Sequence, residues 1–187
     1  MMDTITPLRI IYREMWFASP IREPSHFKPK LCTYVIVHES GGPNCGNFAD
    51  CCKCVKDLQQ KDITSKGDIR YNFLIGGDGA IYEGRGWYKS SISIPEYDAI
   101  SVSVAFIGSY TNQFLTTVEW AAFKDLINFG VAYKFISKDY QILGHQQFRI
   151  IPEVYPIYHA QCPGRHVYEL LGALSHWNNR TVTIYRN

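Results

Sequence analysis

Residues 68–87 read DIRYNFLIGGDGAIYEGRGW, and no other stretch constrains the fold as tightly. Tyr71–Ile75 and Ala80–Glu83 are short runs rich in aromatic and β-branched residues, the composition of strands. Between them, Gly76-Gly77-Asp78-Gly79 carries an Asp-Gly pair, the dipeptide of tight hairpin turns whose central residues take positive φ. The stretch therefore predicts a β-hairpin. Gly84-Arg85-Gly86-Trp87 leaves the second strand with little side-chain bulk, which allows a ligand close to the backbone.

The rest of the chain supplies a sheet and helices around that hairpin. Leu8–Tyr12 reads as a first short strand, and Pro20–Lys30, with three prolines, as an extended crossing. Tyr34–His38 (YVIVH) is almost continuously apolar, as in a strand buried on both faces. After a turn at Ser40–Cys45, the spacing of Phe48, Cys51, Val55 and Leu58 predicts a helix to about Gln60. Ile100–Ile107 reads as a central strand. Thr116 and Glu119 form a capping box before a helix expected to bury Val118, Ala122, Phe123, Leu126 and Phe129. Tyr140–Leu143 is a further short strand, delivering His145 just past its end. Pro163 suits the first turn of a last helix with the apolar stripe Val167, Leu170, Leu171 and Leu174, and the polar tail Trp177–Asn187 carries no clear pattern. Strands alternating with helices predict an α/β domain, a central mixed sheet flanked by about three helices. The 187 residues suit a single domain, with its core at about 8–177.

Composition narrows the functions. A net charge of +2 with scattered Lys and Arg argues against nucleic acid as a partner. No apolar run approaches the ~20 residues of a membrane span. The 13 Tyr, 10 Phe and 4 Trp suit a saccharide or peptide ligand. The opening MMDTITPLRI lacks the pattern of a secretory signal, which points to the cytoplasm, whereas six cysteines point to an oxidising compartment. Cys51-Cys52-Lys53-Cys54 contains a CxxC, read as structural or incidental in the absence of a second pair. Asn179-Arg180-Thr181 is a glycosylation sequon, meaningful in a secreted chain. His38, His145 and Cys162 are residue types that bind zinc, although no local spacing such as HExxH ties them together. Glu39 is a tempting base beside His38, but neighbours on a strand point to opposite faces.

The hairpin, together with His38 closing its strand, Gly144-His145 and Cys162-Pro163-Gly164, closely resembles the peptidoglycan recognition proteins, relatives of the phage-type zinc amidases. The resemblance runs from about Leu8 to Trp177. It implies that His38, His145 and Cys162 hold Zn²⁺, that Tyr71 is the catalytic Tyr, and that Cys45 and Cys51 form a disulfide. Tyr71, Arg85, Trp87, Ser93 and Tyr97 become the expected substrate contacts. The activity implied is N-acetylmuramoyl-L-alanine amidase, cleaving bacterial peptidoglycan or muropeptides in innate immunity, in a secreted protein. Members that only recognise peptidoglycan usually carry Ser in place of the zinc Cys.

Departures from the family's pattern keep a non-catalytic recognition protein, or a decoy that has lost glycopeptide affinity, as alternatives. Ala160 stands where active members usually have Thr. The His145–Cys162 segment is longer than usual and carries Ile150–His159, where His159 reads either as a substitute donor or as an ordinary exposed loop His. Ser91-Ile92-Ser93 replaces a family Gly-Ala-His, Lys61–Gly67 lacks the usual Gly-Trp, and Ala99 replaces an Arg used by many binders of diaminopimelate-type peptidoglycan.

Overall fold

The computed structural model describes residues 8–22, 31–151 and 161–185. His159, Ala160 and much of the Pro20–Lys30 crossing lie outside them. The strands are β1 (Ile10–Ile11), β2 (Cys32–Glu39), β3 (Phe73–Ile75), β4 (Ile81–Glu83), β5 (Ser101–Phe106), β6 (Ile136–Gly144), β7 (Phe148–Ile151) and β8 (Val182–Tyr185). The helices are α1 (Phe48–Lys66), α2 (Thr117–Ala132) and α3 (Arg165–Leu171). Six strands form one mixed sheet in the order β1-β4-β3-β5-β2-β6, parallel except for the β3–β4 hairpin. The polar tail supplies β8, which pairs in parallel with β7 as a small second sheet.

Alternation along the strands makes the layers. Val35 and Val37 of β2, Phe73 of β3 and Val104 of β5 face α2 and α3, packing with Phe123, Leu126, Val167 and Leu171. On the opposite face, Leu74, Tyr82 and Ala105 pack against Cys51 and Val55 of α1. Ile36 and Leu143 meet Phe148 and Ile184 of the small sheet on that face. Each such large apolar side chain contributes roughly 1.5–3 kcal/mol by leaving water. In the hairpin, Gly79 alone of the four linking residues has positive φ, at 73°, and its N–H donates to the Gly76 carbonyl at 2.9 Å. The link is thus a longer loop closed by one left-handed residue, not a turn with positive φ at its centre.

Several expected elements differ: β1 covers only Ile10–Ile11 of the expected Leu8–Tyr12, and β6 begins at Ile136, before the expected Tyr140. Helix α1 runs six residues past Gln60, because Asp62 and Ile63 continue its buried face and Gly67, at φ 73°, ends it by donating its N–H to the Ile63 carbonyl. The capping box of α2 forms as expected, but Val118 is exposed over Gly79 and Phe129 is half-buried, while Glu119 and Ile127 are buried instead. Pro163 precedes Gly164, the N-cap of α3, so it lies in the turn before that helix, where Leu170 is exposed.

Candidate metal centre

Two parallel strands place the two histidines. Strand β2 pairs with β6 in a register that sets Val37 opposite Gly144, so His38 and His145 follow side by side at the carboxyl ends of adjacent strands. Such strand ends are where open α/β sheets bind ligands. The imidazole centroids lie 4.6 Å apart. Cys162 arrives from the turn before α3 and is tied to both strand ends. Its carbonyl accepts the Gln146 N–H at 2.6 Å, and its Sγ accepts the Glu39 N–H at 3.3 Å. Sγ is 4.0 Å from Nδ1 of His38, and ligand atoms of His38, His145 and Cys162 all lie within 4.8 Å of one another.

This donor set fits zinc. Tetrahedral coordination at ~2.0–2.3 Å bond lengths puts neighbouring ligand atoms roughly 3.3–3.6 Å apart, so a small inward movement suffices, and three ligands leave a fourth position open. Two nitrogens and a sulfur suit Zn²⁺ better than Mg²⁺ or Ca²⁺. Burial pushes the Cys162 thiol up to about 12, with Glu39 adding to the rise while the Glu39 N–H and the Arg70 charge oppose it.

Tyr71 stands beside this cluster, its ring centroid 5.2 Å from that of His38. Its hydroxyl pKa is raised, first by burial and then by Cys162, so the phenol stays protonated and can donate. Ser93 borders the same face: its hydroxyl lies 3.3 Å from that of Ser103, which is in register with Ile36 of β2. The Ser93 N–H and hydroxyl also donate to Asp98, which gathers Ser91 and Ile94 as well into one buried cluster. Tyr97 packs edge-on against Tyr34 and Phe148 at 5.1 and 4.9 Å, walling the small-sheet side.

Two expected substrate contacts lie elsewhere. Arg85 turns inward, donating Nε–H to the Ser90 carbonyl and pairing with buried Asp68 at 3.6 Å. Trp87 stacks on Phe135 at 4.8 Å and meets the Phe73 ring at a tilt at 4.5 Å, on the α2 face of the sheet, opposite to His38. Glu39 also looks away: its carboxylate accepts the Tyr110 N–H at 2.6 Å, and burial raises its pKa. The Cys45–Cys51 disulfide is formed and joins the loop before α1 to its first turn, while Cys52 and Cys54 remain half-buried thiols.

Sequence reading missed three supports of the site. The Asn72 side chain accepts the Ser103 N–H and donates to the Gly86 and Lys89 carbonyls, stitching β3 to β5 and to the hairpin exit. Asp68 gathers Arg13, Gln59 and Arg85. Arg70 clamps Asp62. Only for Asp62 is there a signal, since Gly67 after Lys66 marks a helix end that would carry α1 past that residue.

Comparison with known proteins accords with this geometry. The N-acetylmuramoyl-L-alanine amidase family matches residues 28–165. Peptidoglycan-recognition protein LB of Drosophila melanogaster is 32% identical over 180 residues, 95% of this chain and 73% of that protein. Peptidoglycan-recognition protein SC1a of the same species is 33% identical over 148 residues, 78% of this chain and 75% of that protein. Among solved structures, Drosophila PGRP-SA superimposes with a TM-score of 0.85 at 26% identity, covering 97% of this chain and all of the other. PGRP-LE in complex with tracheal cytotoxin, a monomeric diaminopimelic acid-type peptidoglycan, gives 0.82 at 30% identity, covering 91% of this chain and 96% of that one. With a family match over most of its length and a relative aligned along nearly all of it, the chain belongs to the N-acetylmuramoyl-L-alanine amidase family and, within it, to the peptidoglycan recognition proteins.

Proposed function

We propose that this protein binds bacterial peptidoglycan and its muropeptides and hydrolyses the N-acetylmuramoyl-L-alanine amide with the help of Zn²⁺. The observation that carries this reading is the convergence of His38, His145 and Cys162 at the ends of two strands and one turn. These residues would hold the ion, which when bound supplies Lewis-acid chemistry, polarising the scissile carbonyl and acidifying water. Tyr71, protonated and fixed beside His38, donates its hydroxyl to the carbonyl oxygen as negative charge develops there. Ser93 and Tyr97 border the groove that takes the glycopeptide, and Asp98 holds the Ser93 segment in place. A disulfide at Cys45–Cys51 supports action in an oxidising, extracellular setting. No helix of the described residues is long and apolar enough to cross a membrane.

A second reading is recognition without cleavage, favoured by the small hydroxyls of Ser91 and Ser93, both engaged by Asp98, along the groove. One experiment separates the two: zinc content of the purified protein and release of peptide from digested peptidoglycan, wild type against Cys162→Ser. About one zinc per chain, with cleavage lost in the variant, is the expected result. Zinc without cleavage would favour recognition. Absence of both, with no binding to peptidoglycan, would overturn the proposal.

A further inference from the structure

Arg70 stands directly before Tyr71 and has no part in the chemistry above. Its backbone N–H and its Nε donate to the Asp62 carboxylate, at 3.2 Å and at 2.9 and 3.1 Å respectively, and Nη2 bonds the same group. The clamp fixes a long side chain that would otherwise be mobile, and leaves Nη1 with no hydrogen-bond partner among the described residues. The Arg70 side chain is 37% exposed, whereas that of Asp62 is 4% exposed. The guanidinium carbon lies 5.9 Å from the centroid of the Tyr71 ring, and that ring lies 5.2 Å from the His38 ring. One aromatic ring thus separates a half-exposed cation from the metal centre. Glu39, the acid that follows His38, is turned to the Tyr110 side, so among the described residues the carboxylate paired with Arg70 is that of Asp62.

We infer that Arg70 is a specificity residue that binds a carboxylate on the peptide arm of the ligand, close to the second residue beyond the scissile amide. This rests on the peptidoglycan reading above. An extended peptide advances ~3.3–3.6 Å per residue, so the steps of 5.2 and 5.9 Å from the His38 ring through the Tyr71 ring to the guanidinium are spanned by about three residues at most. A guanidinium presents a planar fork of donors that matches a carboxylate, and one already pinned by Asp62 loses little further freedom on taking a ligand. A stem peptide with a free carboxylate at this position is therefore preferred over its amidated counterpart.

The probes are two muramyl dipeptides, both blocked as the amide at the terminal γ-carboxyl, that differ only in a free (acid) or amidated α-carboxyl at the second position, with affinities measured by titration calorimetry. Wild type is expected to bind the acid about tenfold more tightly, the loss typical of one charged hydrogen bond in a partly exposed site. The preference should shrink between about 0.1 M and about 1 M salt, as the Debye length falls from ~10 to ~3 Å. Arg70→Gln, which still reaches Asp62 with an amide N–H, should bring the ratio to about one by weakening only the acid, with zinc content unchanged. Where Arg70→Gln alone lowers stability, the Asp62→Asn/Arg70→Gln pair leaves no buried charge uncompensated and serves as the same test. Equal affinities in wild type, or a preference that survives Arg70→Gln, would overturn the inference and leave the peptidoglycan reading standing. Failure to bind either peptide would instead remove that reading, and the inference with it.

Discussion

Asp68→Asn should damage this protein more than any other single change to a charged side chain among the described residues. Asp68 is fully buried and accepts from both terminal nitrogens of Arg13, each at 3.0 Å, and from Gln59 Nε2 at 2.8 Å, with Arg85 Nη1 at 3.6 Å. The Arg85 side chain is 4% exposed, and its pKa is already lowered by burial while Asp68 holds it up. An amide at position 68 keeps the shape and one acceptor but removes the charge that makes burying Arg85 tolerable. Removing one partner from a buried ion pair costs about 3–5 kcal/mol, which at ~2–4 °C per kcal/mol for a chain of this size lowers Tm by about 6–20 °C. The damage reaches the site, because the Arg85 N–H donates to the Tyr71 carbonyl and Arg13 to that of Gly84. Thermal and urea melts of wild type and variant would measure it. The internal control is Asp57→Asn, which breaks the exposed Lys53–Asp57 pair and should cost under ~1 kcal/mol. A loss below about 1 kcal/mol for Asp68→Asn, equal to the control, would refute the reasoning and mean that Arg13 and Arg85 find solvation elsewhere.

Three further outcomes are expected. Because the Cys162 thiol is pushed up to about 12, it is protonated at neutral pH and must lose its proton to bind zinc, so zinc affinity should rise about tenfold per pH unit between about 7 and 9; competition with a chelator across pH checks this, and Cys162→Ser should flatten the slope. Glu39 has a folded-state pKa raised above 4.5 by burial, so its ionisation opposes folding at neutral pH, and the penalty disappears as pH falls through the raised pKa. Glu39→Gln, which keeps an acceptor for Tyr110, should therefore melt higher than wild type at pH 7, lose that advantage near pH 4.5, and retain cleavage; loss of cleavage would make Glu39 the base after all. Thr116→Ala removes the hydroxyl that caps α2 and should cost ~1 kcal/mol in a urea melt with m unchanged.

The sheet and its hairpin were legible because their signals are local. Alternation in 101–106, the apolar run at 34–38 and the Gly-rich link at 76–79 each state a strand or turn within a few residues. Trp87 and Arg85 were not legible, since which face of the sheet a residue leaves on after a hairpin depends on the backbone path through Gly84 and Gly86. That path is set by the Asn72 bonds and by the Gly84 N–H and Gly86 N–H both reaching the Asn72 carbonyl, none of which leaves a pattern in the sequence. The tail strand β8 was hidden for a similar reason: Val182 and Ile184 alternate correctly, but their partner β7 sits 34 residues earlier, by the register Phe148↔Val182.

The candidate metal ligands illustrate the same limit. Residues 38, 145 and 162 share no spacing rule, and only the register Val37↔Gly144 makes the first two neighbours. Cys162 is then fixed at its own end, through the Gln146 N–H to its carbonyl and the Glu39 N–H to its sulfur. A loop whose two ends are already joined by a hydrogen bond can lengthen at small cost, since closure entropy grows only as the logarithm of length. If shortening that loop abolished zinc binding while the fold persisted, Cys162 would have to be held by the loop and not by the two strand ends.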